Sequence, residues 1–259
     1  MDVDIQEIVK IARGAGKIIL EIYNNNFEVY RKKDDSRKEG FSVLTEADTR
    51  ANKFIIDSLR KIYLNIPIIS EESKNIPFEE RKDWEYFWLV DPLDRTKDFI
   101  KKNGEFTVNI ALIKKGTTIL GVVYAPARDI LYYGDKNGSF KKIGVKKPER
   151  LPLTRSQDDV YKIVASRGSF NKETENFIEN LKKKQPKIEL INIGSSMKFC
   201  LVAEGKANIY PRLGETSEWD AAAAHAVVKF AGKNVYAYNS YKELEYNKEN
   251  LLNPWIIVK

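Results

Sequence analysis

Two aspartates follow a short apolar run in the middle of the chain. Tyr86 to Val90 are apolar or aromatic, and such a run predicts a buried strand. The strand is expected to stop at Asp91-Pro92, because proline cannot donate to a sheet ladder. Asp91 and Asp94 would then lie at the C-terminal end of the strand, just before a predicted helix start. In α/β proteins, ligands bind at this end of the strands.

Paired carboxylates of this kind are suited to a hard divalent cation. Two clustered carboxylates repel each other unless a cation lies between them, and oxygen ligands favour Mg²⁺ over Zn²⁺. A helix start beside them would favour a phosphate group. The pattern therefore predicts a Mg²⁺-dependent site that acts on a phosphate ester. On this motif alone, an aspartate that caps a helix is an equal alternative.

Further acidic residues occupy comparable positions elsewhere in the chain. Glu71 follows the short predicted strand Ile66–Ile69, and Asp220 opens an alanine-rich predicted helix. With Asp91 and Asp94 they form a set suited to two metal ions about 3.5–4 Å apart, as phosphoryl hydrolysis requires. Each residue also has a structural explanation of its own.

Asp48 illustrates such a structural alternative. Thr45 and Asp48 have the spacing of a capping box, with aspartate in place of the usual glutamate or glutamine. The cap alone would explain the presence of Asp48 at the start of a helix.

The composition narrows the class of protein. The chain has 259 residues, 42% hydrophobic and 11% aromatic, which indicates a folded protein with one large domain or two lobes. No apolar run is long enough to span a bilayer, and the first residues lack the basic region of a signal peptide. A cytoplasmic protein is therefore expected. The single cysteine excludes an internal disulfide and a thiolate metal cluster.

The single histidine and the net charge exclude further classes. A His-rich metal site cannot be built, and His225 lies in an alanine-rich predicted helix, where a packed structural role is the expected one. The net charge of +7 is spread along the chain and interleaved with acidic residues. Nucleic acid is not an expected partner, because no zinc finger, aromatic RNA-binding motif or basic helix is visible. A mild positive field would assist a small polyanionic substrate.

Hydrophobic periodicity predicts two lobes that share an interface, residues 1–150 and 151–259. The first contains a charged surface loop over Tyr30 to Gly40 and a half-buried strand from Phe106 to Leu112, followed by an antiparallel meander to about Ile143. The second alternates strands and helices, as an α/β unit does. The predicted helices are 5–23, 45–62, 172–183, Ser195 or Ser196 to Ala203, and 220–231, and the predicted strands of the second lobe are 163–165, 188–193 and 207–210.

Three ordered motifs resemble those of a known superfamily. Ser70-Glu71-Glu72-Ser73, Asp91-Pro92-Leu93-Asp94-x-Thr96 and Glu218-Trp219-Asp220-x-Ala222-Ala223 resemble the signatures of the inositol monophosphatase superfamily of Mg²⁺-dependent, Li⁺-sensitive phosphatases. The stretches 44–48, 103–112, 198–207 and 246–255 resemble its bacterial CysQ-type branch, the 3'(2'),5'-bisphosphate nucleotidases. The resemblance implies a layered αβαβα sandwich, a monomer or homodimer, and a cytoplasmic location in which peripheral association with the inner membrane is also open.

The resemblance also implies roles for matched residues. Asp48 and Thr96 would activate the attacking water, and Glu71 would join them in the catalytic set. The backbone amides of Arg95 and Thr96 would hold the scissile phosphate. Asp34 or Asp35 could close over a third metal. The implied metal ligands are Glu71, Asp91, the carbonyl of Leu93, Asp94 and Asp220; the implied substrate-binding residues are Arg95, Thr96, Ser195, Lys198, Arg212 and Asp220.

Two departures from the family pattern bear on activity. Arg95 stands in the phosphate-binding turn where the family has glycine, and it would cost about 1–2 kcal/mol if its φ is positive. It could also swing outward and add a cationic contact. Ser166-Arg167-Gly168-Ser169 stands where the branch tends to have Ser-Arg-Ser-His, so that a nucleotide-contacting histidine is missing.

Three functions follow from these observations. The leading hypothesis is a Mg²⁺-dependent phosphatase, inhibited by Li⁺, that removes the 3'-phosphate of adenosine 3',5'-bisphosphate to yield AMP and phosphate. Its sulfated precursor, 3'-phosphoadenylyl sulfate, is a further candidate substrate. The alternatives are an inositol or sugar monophosphatase of the same superfamily, and a weakly active metal- and nucleotide-binding relative disabled by Arg95.

Overall fold

The computed structural model describes residues 3–33, 41–153, 160–165 and 171–259. In these parts of the chain the helices are α1 (Ile5–Tyr23), α2 (Glu46–Ile62), α3 (Phe78–Arg81), α4 (Thr96–Ile100), α5 (Lys172–Lys182), α6 (Met197–Ala203) and α7 (Glu218–Phe230). The strands are β1 (Val29–Lys33), β2 (Phe41–Thr45), β3 (Ile68–Ser70), β4 (Tyr86–Asp94), β5 (Thr107–Lys114), β6 (Thr117–Ala125), β7 (Ile130–Asp135), β8 (Gly138–Ile143), β9 (Glu149–Arg150), β10 (Tyr161–Ala165), β11 (Ile188–Asn192), β12 (Tyr210–Arg212), β13 (Val235–Ala237) and β14 (Ile256–Val258).

The larger sheet has the strand order β3-β4-β5-β6-β7-β8-β9. Its strands pair antiparallel, except that β3 runs parallel to β4. Side chains alternate between its faces, as the strand period of two requires. Phe87 and Leu89 of β4 join one buried cluster, and Trp88 and Val90 join another. Helices α1 and α2 cover the second of these faces, and α6 and α7 cover the first.

The smaller sheet lies on the far side of α6 and α7. β10 and β11 are parallel and are joined through α5, which is the strand–helix–strand unit that the alternating pattern predicts. A parallel bridge between Ile163 and Ile209 connects them to the order β12-β14-β13. In β14, Ile256 and Val258 pack toward α7, and Ile257 packs with Ile178 of α5. The layers are therefore α1/α2, sheet, α6/α7, sheet and α5, which is the predicted αβαβα sandwich.

Helix α7 lies close to the large sheet because both surfaces carry small residues. A Cβ placed on Gly121 of β6 would lie 2.2 Å from the carbonyl oxygen of Ala223 and 2.7 Å from the Cβ of Ala226. Any larger residue would therefore push the helix away from the sheet. The close contact matters for function, because the first turn of α7 carries Asp220.

The end of β4 differs from the prediction that the strand stops at Asp91-Pro92. β4 continues through Pro92 to Asp94, and its pairing with β5 shifts register between Asp91 and Asp94. Such an irregularity is one of the places where a sheet accepts proline. Both aspartates thus remain part of the sheet end.

Several other element predictions also need correction. The predicted half-buried strand over 106–112 is buried on both faces as β5, because α7 covers the face expected to meet solvent. Tyr30 to Lys33 of the predicted loop form most of β1, which pairs with β2. The strand predicted over 207–210 lies at Tyr210–Arg212, and the helix predicted from Asp220 begins at Glu218.

No helix in the described part of the chain combines the length and apolar character that crossing a membrane requires.

Candidate active site

A cavity of about 360 Å³ opens where β4 ends, beside α4 and the first turn of α7. Both carboxylates and cationic side chains line it. The predicted residues Glu71, Leu93, Arg95 and Thr96 are among its walls. Apart from Asp48, the predicted catalytic, metal-binding and substrate-binding residues of the described chain thus line one space, although they come from separate stretches of the sequence.

Three carboxylates converge in this cavity. One oxygen each of Glu71, Asp91 and Asp220 lies within 4.8 Å of the others. Asp91 is 1% exposed, and its Oδ1 accepts a hydrogen bond from the Leu93 N–H at 3.0 Å. Among the described residues its Oδ2 has no hydrogen-bond partner. Burial, and then the neighbouring charges of Glu71, Asp94 and Asp220, raise the pKa of Asp91 well above its usual range.

The backbone around these carboxylates brings them together. β3 and β4 run parallel with Ser70 opposite Val90, and the Glu71 N–H donates to the Val90 carbonyl at 3.1 Å. Glu71, just after β3, and Asp91, within β4, therefore lie next to each other at the same level of the sheet. Asp220 is held in the first turn of α7 by a capping box, in which the Ser217 N–H donates to Asp220 Oδ2 at 2.8 Å.

Asp94 lines the same cavity but is held by different partners. Its Oδ2 accepts hydrogen bonds from Ser195 Oγ at 2.5 Å and from the Ser196 N–H at 2.9 Å. Ser195 Oγ is also 2.5 Å from Thr107 Oγ1, and Asn109 Nδ2 donates to Ser196 Oγ at 3.0 Å. The predicted phosphate ligand Ser195 therefore bonds Asp94 in this arrangement. Asp94 lies outside the group of three carboxylates within 4.8 Å.

Asp48 and Thr96 meet across 48 positions of sequence. Thr96 Oγ1 donates to Asp48 Oδ1 at 2.9 Å, while Asp48 Oδ2 accepts from the Thr45 N–H at 2.7 Å and from Thr45 Oγ1 at 2.6 Å. The Asp48 carboxylate thus completes the predicted capping box with Thr45 and also accepts a hydrogen bond from Thr96. Burial raises the pKa of Asp48 to about 6, although the bonds from Thr45 and Thr96 oppose the shift.

Arg95 occupies a left-handed turn at the start of α4. Its φ of 76° and ψ of 51° fall in the region that favours glycine. Because φ is positive, arginine at this position should destabilise the fold by about 1–2 kcal/mol relative to glycine. The side chain turns toward its own helix, where Nε donates to Asp98 Oδ2 at 2.6 Å.

Two further cations line the cavity, Lys198 and Arg212, which the family resemblance implies as substrate-binding residues. Lys198 is 6% exposed and its Nζ donates to the Ser195 carbonyl at 2.9 Å. Burial lowers the pKa of Lys198 to about 7, with Arg212 and Arg95 adding to the shift and Asp94 opposing it. Arg212 is partly buried and donates from Nη2 to the Glu215 carbonyl at 2.7 Å. Lys198 is therefore buried, unlike an ordinary surface lysine.

The structure confirms the expected structural role for His225. His225 is fully buried, and its ring nitrogens lie 2.8 Å from Tyr246 Oη and 2.9 Å from Asn234 Oδ1.

The sequence prediction missed Thr107 and Asn109, which bond Ser195 and Ser196. Two polar side chains within a largely apolar strand were the feature that could have identified them. Asp34, Asp35 and Ser166–Ser169 lie outside the described residues.

Comparisons with known proteins identify the family of the chain and agree with the αβαβα sandwich. The model of the inositol monophosphatase family matches residues 2–254, and the chain belongs to this family, whose members are generally metal-dependent. The 3'(2'),5'-bisphosphate nucleotidase CysQ of Salmonella typhimurium is 42% identical over 254 residues, which cover 96% of this chain and 97% of the relative. The Escherichia coli K12 protein of the same name is 41% identical over 254 residues, with the same coverage of both chains.

A solved structure is similar over nearly the whole chain. The crystal structure of CysQ from Bacteroides thetaiotaomicron, described as a bacterial member of the inositol monophosphatase family, has a TM-score of 0.87 and 42% sequence identity. The match covers 98% of this chain and 96% of that one. The likeness in fold and in sequence therefore extends across both predicted lobes.

Proposed function

We propose that the protein is a Mg²⁺-dependent 3'(2'),5'-bisphosphate nucleotidase. It would hydrolyse the 3'-phosphate of adenosine 3',5'-bisphosphate to give AMP and phosphate, and 3'-phosphoadenylyl sulfate is a further substrate to test. The observation that carries the proposal is the mixed lining of a single cavity: Glu71, Asp91 and Asp220 converge there, and the cations Lys198 and Arg212 line the same cavity. A substrate with two phosphates suits a cavity that offers both a carboxylate cluster and cations, and relatives that match over nearly their whole length carry this activity in their names.

The carboxylates meet the requirements of a Mg²⁺ site. All the donors are oxygens, as Mg²⁺ prefers, and the buried Asp91 Oδ2 has no hydrogen-bond partner among the described residues. Burial and the neighbouring carboxylates raise the pKa of Asp91, and a cation bound there would offset both effects. Glu71, Asp91, the Leu93 carbonyl, Asp94 and Asp220 would hold two or three ions. When bound, Mg²⁺ would supply Lewis-acid stabilisation of the phosphate and a lowered pKa for water.

Thr96 and Asp48 would deprotonate the attacking water. The single hydroxyl proton of Thr96 is donated to Asp48, which leaves the lone pairs of Thr96 Oγ1 to accept a hydrogen bond from water. A proton from the water can then pass through Thr96 to Asp48. A carboxylate with a pKa of about 6 is ionised at neutral pH and is matched to this task.

Lys198 and Arg212 would hold the phosphate that is not cleaved. Both side chains line the cavity, and a guanidinium can bind two phosphate oxygens at once. Because Lys198 is buried, an anion beside it would favour its charged form. Inositol 1-phosphate carries no second phosphate. Lys198 and Arg212 would therefore favour the adenosine bisphosphate over this monophosphate ester.

A phosphate-release assay would test the proposed function. The substrates are adenosine 3',5'-bisphosphate, 3'-phosphoadenylyl sulfate and inositol 1-phosphate, each with and without Mg²⁺ and with added Li⁺. We expect Mg²⁺-dependent release that is fastest from the adenosine bisphosphate and is inhibited by Li⁺. Faster release from inositol 1-phosphate would instead support the monophosphatase alternative. Metal and AMP binding without turnover would support the disabled relative.

The Lys198→Ala variant tests whether Lys198 binds the uncleaved phosphate. Loss of a charged hydrogen bond of about 1.5–3 kcal/mol should lower kcat/KM for the bisphosphate by about 10- to 100-fold. The effect on inositol 1-phosphate should be smaller. Lys184→Ala removes an exposed lysine outside the cavity and controls for the change in net charge. Equal losses on both substrates would contradict the assignment of Lys198 to the second phosphate.

A further inference from the structure

Arg95 has a backbone conformation that its own side chain does not explain. A φ of 76° is strained for any residue with a Cβ, and glycine would adopt it freely. The turn therefore does not need arginine for its shape. A role for the residue has to be sought in the guanidinium.

The guanidinium is held in place by a chain of hydrogen bonds. Arg95 Nε donates to Asp98 Oδ2 at 2.6 Å, and Asp98 Oδ1 accepts from Asn103 Nδ2 at 2.7 Å. Asp98 is 8% exposed, so this partner is itself fixed in the protein. The bond uses one of the five N–H donors of the guanidinium. No described residue accepts a hydrogen bond from the terminal Nη groups, which remain able to bind a ligand.

The side chain borders the same space as the other two cations. Arg95, Lys198 and Arg212 all line the cavity, and Arg95 and Arg212 both disfavour the charged form of Lys198. Asp94 and Asp98 oppose this effect at Lys198, and an anionic ligand beside the three cations would add to that compensation. Arg95 is also 39% exposed at its side chain, so it can reach a ligand without being uncovered first.

We propose that Arg95 is a specificity-determining residue, whose guanidinium binds the uncleaved phosphate of the substrate together with Lys198 and Arg212. This inference rests on the proposed function and adds a third cation to its phosphate subsite. Asp98 acts as a positioning residue, because it fixes the Nε side of the guanidinium and leaves the terminal amino groups for the phosphate. The preference for a substrate with a second phosphate then depends on Arg95.

The test compares two substrates that differ only in the second phosphate. Adenosine 3',5'-bisphosphate and 3'-AMP are assayed with wild type, Arg95→Ala and Arg95→Gly. Alanine keeps a Cβ at the positive φ, whereas glycine also removes the strain. We expect both variants to lower the ratio of kcat/KM for the bisphosphate to kcat/KM for 3'-AMP at least tenfold. A change in backbone strain alone would affect both substrates alike and leave the ratio constant.

A positioning variant and a charge control complete the kinetic test. Asp98→Asn should lower the same ratio by a smaller factor, since it loosens the guanidinium without removing it. Lys101→Ala removes an exposed positive charge next to α4 and outside the cavity, and should leave the ratio within twofold of wild type. An unchanged ratio in Arg95→Ala, or an equal fall in Lys101→Ala, overturns the proposal.

Binding of 5'-AMP separates this inference from the proposed function. Calorimetric titration needs no turnover, and we expect Arg95→Ala to raise the Kd of 5'-AMP at least tenfold. If wild type releases no phosphate from the bisphosphate, the proposed function fails and the titration alone decides the role of Arg95. If wild type prefers the bisphosphate and Arg95→Ala binds 5'-AMP as wild type does, only the role of Arg95 is overturned.

Discussion

Replacing Asp48 by asparagine tests whether the Asp48–Thr96 pair activates water. The carboxylate accepts two hydrogen bonds from Thr45 at one oxygen and one from Thr96 at the other. An asparagine whose oxygen keeps the bonds to Thr45 presents its NH₂ group to Thr96. The Thr96 hydroxyl must then accept from the amide and point its own proton elsewhere. It can no longer pass a proton from water to residue 48.

The expected magnitudes separate catalysis from stability. A pKa raised from 3.8 to about 6 means that the fold disfavours ionised Asp48 by about 3 kcal/mol, at about 1.4 kcal/mol per unit. Asparagine avoids this cost and weakens a cap worth about 1 kcal/mol. Asp48→Asn should therefore be at least as stable as wild type at pH 8. Its kcat should nevertheless fall by about 10²- to 10⁴-fold, the usual contribution of general base catalysis.

Kinetics and unfolding together test this expectation. Phosphate release gives kcat, and urea unfolding at pH 8 gives the free energy of unfolding. In wild type, kcat/KM should fall as the pH drops below about 6, because Asp48 then takes up a proton; in the variant this part of the pH profile should be absent. Asp57→Asn, at an exposed position of α2, is the matched control. A variant that keeps more than a tenth of the wild-type kcat would refute the role of the pair.

Two further predictions concern metal binding and pH. Asp91→Asn should abolish the Mg²⁺-induced rise in Tm and the Mg²⁺-dependent activity, yet raise the Tm of the metal-free protein, because it removes a buried charge and its repulsion by the neighbouring carboxylates. Each 1 kcal/mol gained in this way raises the Tm of a chain of this size by about 2–4 °C. Calorimetry with and without Mg²⁺ checks both expectations, and an unchanged Mg²⁺ shift would contradict the site. Burial lowers the pKa of His225 from 6.5 to about 4. Between these pH values the unfolded chain binds more protons than the folded protein does. Wild type should therefore lose about 3 kcal/mol of stability as the pH falls from 6.5 to about 4. The stability difference between wild type and His225→Gln should shrink by that amount from pH 7 to pH 4 in urea unfolding, and a constant difference would show that the histidine is not buried in its neutral form.

Local sequence patterns were enough to predict most of the elements. α1 follows the predicted bounds of residues 5–23, and the Thr45–Asp48 capping box forms as its spacing indicates. The antiparallel meander and the strand–helix–strand unit of the second sheet also follow the pattern. These features depend on residues a few positions apart, whose preferences act before any tertiary contact is made. Predictions failed mainly at element ends and at Pro92, where pairing with β5 decides whether the strand continues.

The sequence by itself determined which residues could perform the chemistry. The acidic side chains that follow β3, close β4 and open α7, and cations such as Lys198, are evident from residue type and position. Only the tertiary structure decided how they are used. Ser195 bonds Asp94 across 101 positions of sequence, Asp48 serves both a helix cap and Thr96, and Lys198 is buried at the cavity wall. Such contacts depend on α6 and α7 packing against the large sheet, and no pattern of neighbouring residues specifies the distance between side chains that far apart in the chain.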